Sequence, residues 1–265
     1  MNYGTIMLEK EEHVATLILN RPEKLNAFNE QMCEELLDAV DNITKDASVR
    51  VVVVSAAGRA FSVGVDLDWL KSMTEQRKRG DAVYDIPNWL TKFRNALENM
   101  PQPSIASVGG VAVGWGVTFP LSCDMKITAE DIKMSLPFAT GVGITPEMAS
   151  TYILPRLIGF NKACELLLTG RTITGKEAKE IGLVNEAVPL ADLKTVTDRL
   201  AKTIASAAPM AIQLTKKGLH QALDADFGKQ LYWEDIALRT TLQSEDHAEA
   251  VEAFLTKRKP VFKGK

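Results

Sequence analysis

Residues 50–55 read Arg-Val-Val-Val-Val-Ser. Side chains alternate between the two faces of a strand, so four successive valines make both faces apolar. Such a strand must be covered on both sides and is expected to be buried. It runs into a turn at Ala57-Gly58-Arg59. The theme recurs along the chain. Residues 14–19 are rich in β-formers and end at the turn signal Asn20-Arg21-Pro22. Residues 105–108 and 125–128 read as two further short strands. Asn29 can cap a helix whose apolar face carries Cys33, Leu36, Leu37, Val40 and Ile43 at helical spacing. Strand, turn and helix alternate without sequence identity between units, which is an α/β pattern.

The last third reads as helical. Leu193, Val196, Leu200 and Ile204 form one stripe, Pro209 suits a helix start, and Ser244 opens a final helix carrying Val251, Phe254 and Leu255. These apolar faces need a cover, either the main body or another subunit. Composition shifts near Pro189, which divides the chain into 1–189 and 190–265. Residues 71–85 are polar and hold Arg77-Lys78-Arg79 before Gly80. They read as a solvated helix end and loop, or as a flap over a pocket.

Composition narrows the function classes. The 265 residues carry a net charge of −3, so no basic excess points to nucleic acid or an anionic membrane. Three widely spaced cysteines, Cys33, Cys123 and Cys164, fit neither a disulfide framework nor a cysteine zinc site. No apolar run is long enough for a membrane span, and no signal peptide is recognisable at the start. A soluble, cytoplasmic protein is the expectation. His13, His220 and His247 are dispersed, and no triad, Walker loop or metal cluster can be assembled.

Two glycine-bearing segments each follow a strand: residues 59–67, Arg-Ala-Phe-Ser-Val-Gly-Val-Asp-Leu, and residues 109–117, Gly-Gly-Val-Ala-Val-Gly-Trp-Gly-Val. Glycine allows close backbone approach, so two such loops could aim two N–H groups at one oxygen. Tight packing or simple turns would explain them equally well.

Several motifs in order carry a resemblance: Arg21-Pro-Glu-Lys-Leu-Asn-Ala27, the two glycine segments, Cys123-Asp124, Leu168-Thr-Gly170, and Ala253-Phe-Leu-Thr-Lys-Arg-Lys259. Together the chain resembles the crotonase superfamily, the enoyl-CoA hydratase/isomerase family, over nearly its whole length. The resemblance implies a ββα spiral core in 1–189 and a helical trimerisation region in 190–265. It also implies a homotrimer or a hexamer and an acyl-CoA thioester as substrate. Coenzyme A enters as part of that substrate, with no separate cofactor and no metal. By matching motifs, the N–H groups of Val65 and Trp115 would hold the thioester oxygen, and the Trp115 ring would shape the acyl pocket or pack beside it. Lys24 and Leu25 match the segment lying along CoA. Ser62, Gly64 and Asp66 belong to the first oxyanion loop, with Asp66 orienting it. Phe254 and Lys257 match residues that reach CoA from a neighbouring subunit. Asp68 stands where a phosphate-facing lysine is common.

Family hydratases use two glutamates to handle water; the matching positions here are Thr118 and Phe138. Neither can act as a base. Glu147 is the only charged residue between Leu136 and Leu154. Pro146-Glu147 resembles the corresponding step of the peroxisomal-type Δ3,Δ2-enoyl-CoA isomerases, in which one glutamate is the catalytic base. Locally, Thr145 as N-cap, Pro146 at N1 and Glu147 in the first turn would also make a good helix start. Apolar neighbours such as Phe138, Met148 and Trp115 would raise its pKa. The expectation is a 3-enoyl to 2-enoyl shift. The alternatives are a hydratase with an unconventional acid, or a CoA-binding or RNA-associated protein without this catalysis.

Overall fold

The computed structural model describes residues 3–265. A hairpin, β1 (Ile6–Glu11) and β2 (Val14–Leu19), opens the chain and is followed by α1 (Glu30–Lys45). Asn29 caps α1 by accepting the Met32 N–H at 3.0 Å, and Cys33, Leu36, Val40 and Ile43 are buried on its inner face. The valine run becomes β3 (Val51–Ala56), with all four valines buried.

From there each turn of chain supplies one strand to each of two sheets. β3 is followed by β4 (Ala60–Ser62), then α2 (Leu67–Arg79) and α3 (Ile86–Asn99). Next come β5 (Ser104–Val108), β6 (Val111–Val113) and α4 (Trp115–Leu121). A third turn gives β7 (Met125–Ala129), β8 (Lys133–Ser135), α5 (Ser150–Ile158) and α6 (Phe160–Thr169). It closes with β9 (Ile173–Thr174), α7 (Gly175–Glu180) and β10 (Glu186–Val188). The larger sheet runs β1-β2-β3-β5-β7-β10 and the smaller β4-β6-β8-β9. Apart from the β1–β2 and β8–β9 pairs, neighbours are parallel. This is the ββα spiral that the resemblance implies. Parallel order requires both sheet faces to be covered, which the fully buried β5 and the valines of β3 satisfy.

Four helices follow: α8 (Leu190–Ala205), α9 (Pro209–Gln221), α10 (Phe227–Leu242) and α11 (Glu245–Leu255). α8 lies across β2, β3, β5 and β7, and Thr197 shares a 3.0 Å hydrogen bond with Ser107. α9 is fixed differently. Asp124 accepts hydrogen bonds from the Ser104 backbone and hydroxyl and meets Lys216 Nζ at 3.0 Å and His220 Nε2 at 2.6 Å. His220 is therefore a packing histidine. α10 and α11 leave Phe227, Tyr232, Phe254 and Leu255 exposed. Among the described residues, no helix is long and apolar enough to cross a membrane.

The polar stretch 71–85 is mostly helix. α2 continues to Arg79, and Gly80, in the left-handed region, ends it. Arg77, Lys78 and Arg79 thus lie on a solvated last turn, where cations suit the helix dipole.

Candidate active site

β4 and β6 are parallel neighbours, so the two glycine segments leave the same edge of the smaller sheet side by side. Gly64 has φ +92°, and a Cβ there would lie 3.0 Å from the Val113 carbonyl oxygen and 3.7 Å from the Trp115 nitrogen. A Cβ on Gly116 would come within 2.1 Å of the Ser62 carbonyl oxygen. Only glycine at both positions lets these backbones touch.

The close approach presents two donors. Residues 64–66 bridge to Phe28 through Phe28 N–H to Gly64 O and Asp66 N–H to Phe28 O, both 2.8 Å. That pattern leaves the Val65 N–H unused. Trp115 is the first residue of α4, where a backbone N–H has no intrahelical acceptor. Neither group donates to a protein acceptor among the described residues, and both residues line one cleft of about 1100 Å³. The arrangement suits an oxyanion.

Ser62 and Asp66, read from sequence among the binding residues, do not line this cleft. Both are buried, with their polar atoms engaged inside the loop. Ser62 donates to Asn26 O at 2.8 Å and accepts the Gly64 N–H at 3.1 Å. Asp66 caps α2 and is clamped by Arg21 at 3.1 Å, which holds its carboxyl below the usual range against the effect of burial. They hold the donor loop in shape. Gly64 does line the cleft.

Glu147 reaches the same cleft from the segment between β8 and α5. The chain first makes one wide π-helical turn at Phe138–Val142, a form common at functional sites. The helix start suggested by Thr145-Pro146-Glu147 is not there. Met148 (φ 51°) and Ala149 (φ 58°) occupy the left-handed region, so α5 begins only at Ser150. Ser150 anchors the turn, its N–H and hydroxyl donating to the Glu147 carbonyl at 3.0 and 2.6 Å. Two consecutive non-glycine residues with positive φ are strained, and the strain accompanies placement of Glu147 in the cleft. Glu147 therefore lies outside the helix rather than in its first turn.

The Glu147 carboxyl is the only one lining the cleft among the described residues. Thr118 donates to its Oε1 at 2.6 Å, while Oε2 is enclosed with no hydrogen-bond partner in the protein. Burial pushes its pKa up to about 7, against the opposing effect of the Thr118 hydrogen bond. Phe138, Met148 and Trp115 are buried around the same cleft. The Trp115 ring stacks on Trp89 at 5.5 Å and meets Phe28 edge-on at 5.5 Å, so it both packs inward and contributes to the cleft wall.

Other expected residues lie elsewhere. Lys24 pairs with exposed Asp68 at 3.1 Å, beside Leu25, which has φ 52°. Neither Lys24 nor Leu25 lines the cleft. Phe254, 83% exposed, and Lys257, also exposed, sit on and just after α11, away from the cleft of their own chain. Sequence reasoning placed no hydrogen bond between Thr118 and Glu147. Only the absence of an acid at 118 drew attention to that position.

Comparison with known proteins gives the family. A family model described as enoyl-CoA hydratase/isomerase matches residues 9–265. The chain is 34% identical to the short-chain-enoyl-CoA hydratase of Clostridium acetobutylicum, over 98% of this chain and 97% of that one. It is 32% identical to the 1,2-epoxyphenylacetyl-CoA isomerase of Escherichia coli, over 98% of each. A crystal structure of enoyl-CoA hydratase from Bacillus anthracis superimposes with a TM-score of 0.92 at 34% identity, covering 99% of this chain and 100% of that one.

Proposed function

We propose, for a chain that belongs to the enoyl-CoA hydratase/isomerase family, that the reaction is a double-bond shift from the 3- to the 2-position of an enoyl-CoA thioester. One observation carries the choice: among the described residues Glu147 is the sole carboxylate lining the cleft, and the two positions where family hydratases hold glutamates are Thr118 and Phe138. Isomerisation needs one acid–base group. The Glu147 carboxylate takes a proton from C2. The C2–H electron pair becomes the C1–C2 double bond of a dienolate as the thioester carbonyl pair moves onto the oxygen between the Val65 and Trp115 N–H groups. Glu147 then returns the proton to C4, the former C3–C4 double bond is lost, the C1–C2 pair moves to C2–C3, the carbonyl re-forms, and the 2-enoyl thioester remains. A pKa of about 7 suits both directions of transfer at neutral pH. No separate cofactor takes part. The same single-glutamate logic supports the likeness to the peroxisomal-type isomerases.

Hydration is the second reading, favoured by the hydratase names of relatives such as that from Clostridium acetobutylicum. Glu147 would then have to activate water without a second carboxylate in the cleft among the described residues. Assembly into a homotrimer or hexamer through 190–265 is supported by the exposed Phe227, Tyr232, Phe254 and Leu255. Phe254 and Lys257 would then meet CoA bound to a neighbouring subunit. A cytoplasmic setting suits such an enzyme.

Purified protein offered a 3-enoyl-CoA and a 2-enoyl-CoA decides between the readings. Isomerisation that survives Glu147→Gln would overturn the role given to Glu147. Hydration of the 2-enoyl substrate without any double-bond shift would favour the second reading.

A further inference from the structure

α3 presents Ile86, Leu90 and Arg94 to the cleft, three residues at successive i, i+4 positions on one face. The first two continue its apolar wall. The third is an arginine lining the same cleft, and Arg94 is only 8% exposed. Arginine stays charged in proteins, so burial cannot be relieved by loss of a proton.

Its partners do not compensate it. Nη1 reaches the Leu121 carbonyl at 3.5 Å and Nη2 reaches Glu98 at 3.5 Å, both long, and the Glu98 side chain is 40% exposed. Nε is enclosed and has no hydrogen-bond partner in the protein. Asp124, a mostly buried carboxylate, is already engaged by Lys216 and His220. A second buried cation, Lys126, lies close by. Its own burial, aided by the Arg94 charge, holds that ammonium below its usual value, and its Nζ bonds only the Cys123 carbonyl. A buried, weakly paired charge is destabilising unless something meets it. Capping α4 through Leu121 accounts for one long contact and leaves Nε unexplained.

We propose that Arg94 is a specificity residue that receives a second carboxylate carried on the acyl group of the thioester. This rests on the acyl-CoA reading of the cleft. Burial and the Thr118 hydrogen bond account for the perturbation of Glu147 without a contribution from Arg94. The class of substrate is a dicarboxylic acyl-CoA, one end a thioester and the other a free acid.

Binding of saturated thioesters tests this without any chemistry at Glu147. Titration calorimetry would compare butyryl-, pentanoyl- and hexanoyl-CoA with succinyl-, glutaryl- and adipoyl-CoA. At least one dicarboxylic thioester should bind about ten- to a hundredfold more tightly than its neutral counterpart, the worth of a charge-assisted hydrogen bond. Arg94→Met should bring that ratio close to one, and Arg94→Lys, which keeps the charge and guards against a folding failure, should retain part of it. Ratios at or below one throughout the wild-type series, or a ratio unchanged in Arg94→Met, overturn the proposal and leave the Glu147 reading intact. Failure of both series to bind overturns the acyl-CoA reading and this proposal with it.

Discussion

Thr118 Oγ1 and Glu147 Oε1, 29 positions apart in the chain, meet in a 2.6 Å hydrogen bond at the wall of the cleft, beside buried Phe138 and Met148. The hydroxyl donates, so it favours the ionised carboxyl, while burial opposes ionisation and dominates. Thr118→Val keeps the shape and removes the donor. The Glu147 pKa then rises further. The acid limb of kcat/KM, with a midpoint near 7 in the parent, should move up by about one pH unit. An unmoved midpoint would separate the hydroxyl from the proton transfer.

Glu147→Gln removes the base, and kcat should fall by about 10²–10⁴. It should also alter stability in a pH-dependent way. The folded pKa, about 7, lies above the ordinary 4.5, so the wild type loses stability as pH rises from 4.5 through 7. Glutamine has no proton to lose. Denaturant unfolding should show no difference from this source near ~pH 4 and a gain of about 2–3 kcal/mol for the variant near ~pH 8. A variant no more stable at the higher pH would mean that the carboxylate is not held against its solvation.

Gly116→Ala sets a methyl group within 2.1 Å of the Ser62 carbonyl oxygen, a backbone atom that cannot rotate away. The start of α4 must shift and the Trp115 N–H moves with it. Loss of one oxyanion donor typically lowers kcat by about 10²–10³, and overpacking destabilises by about 1–3 kcal/mol. A fully active variant of unchanged stability would argue against the paired-loop geometry.

Asp124→Asn leaves buried Lys216 without its carboxylate and should destabilise by about 3–5 kcal/mol, read by chemical denaturation. Despite burial, hydrogen bonds from His220 and Ser104 and the charge of Lys216 hold the Asp124 carboxyl well below its ordinary 3.8. Its stabilisation is therefore present above 3.8 and lost as pH falls through the depressed folded value. The gap between wild type and variant should narrow on acidification below that point. A constant gap would place the effect in packing rather than charge.

Much of the framework was legible because local rules and tertiary packing agree. Residues 14–19 alternate toward one buried face and form β2, and the four valines are buried in β3. Asn29 and Ser244 cap their helices as their side chains predict. Agreement failed at Glu147. Thr145-Pro146 has the chemistry of a helix start, yet nothing in Met148-Ala149 signals two left-handed residues. Ser62 and Asp66 belong to the first oxyanion loop as the motif implies, and Asn26 and Arg21 hold their polar atoms inside it rather than in the cleft.

By itself the sequence determined the alternation of strand, turn and helix, the two glycine segments and the isolation of Glu147 between Leu136 and Leu154. Each depends on residue type and spacing along one stretch of chain. Tertiary structure alone decided that Val65 and Trp115 present free N–H groups to one cleft, that Thr118 bonds Glu147, and that Arg94 is buried with a long 3.5 Å contact to Glu98 and an unpaired Nε. Those depend on which distant segments share a low-dielectric space, where a proton's position and a charge's cost are set by neighbours that the local sequence does not name.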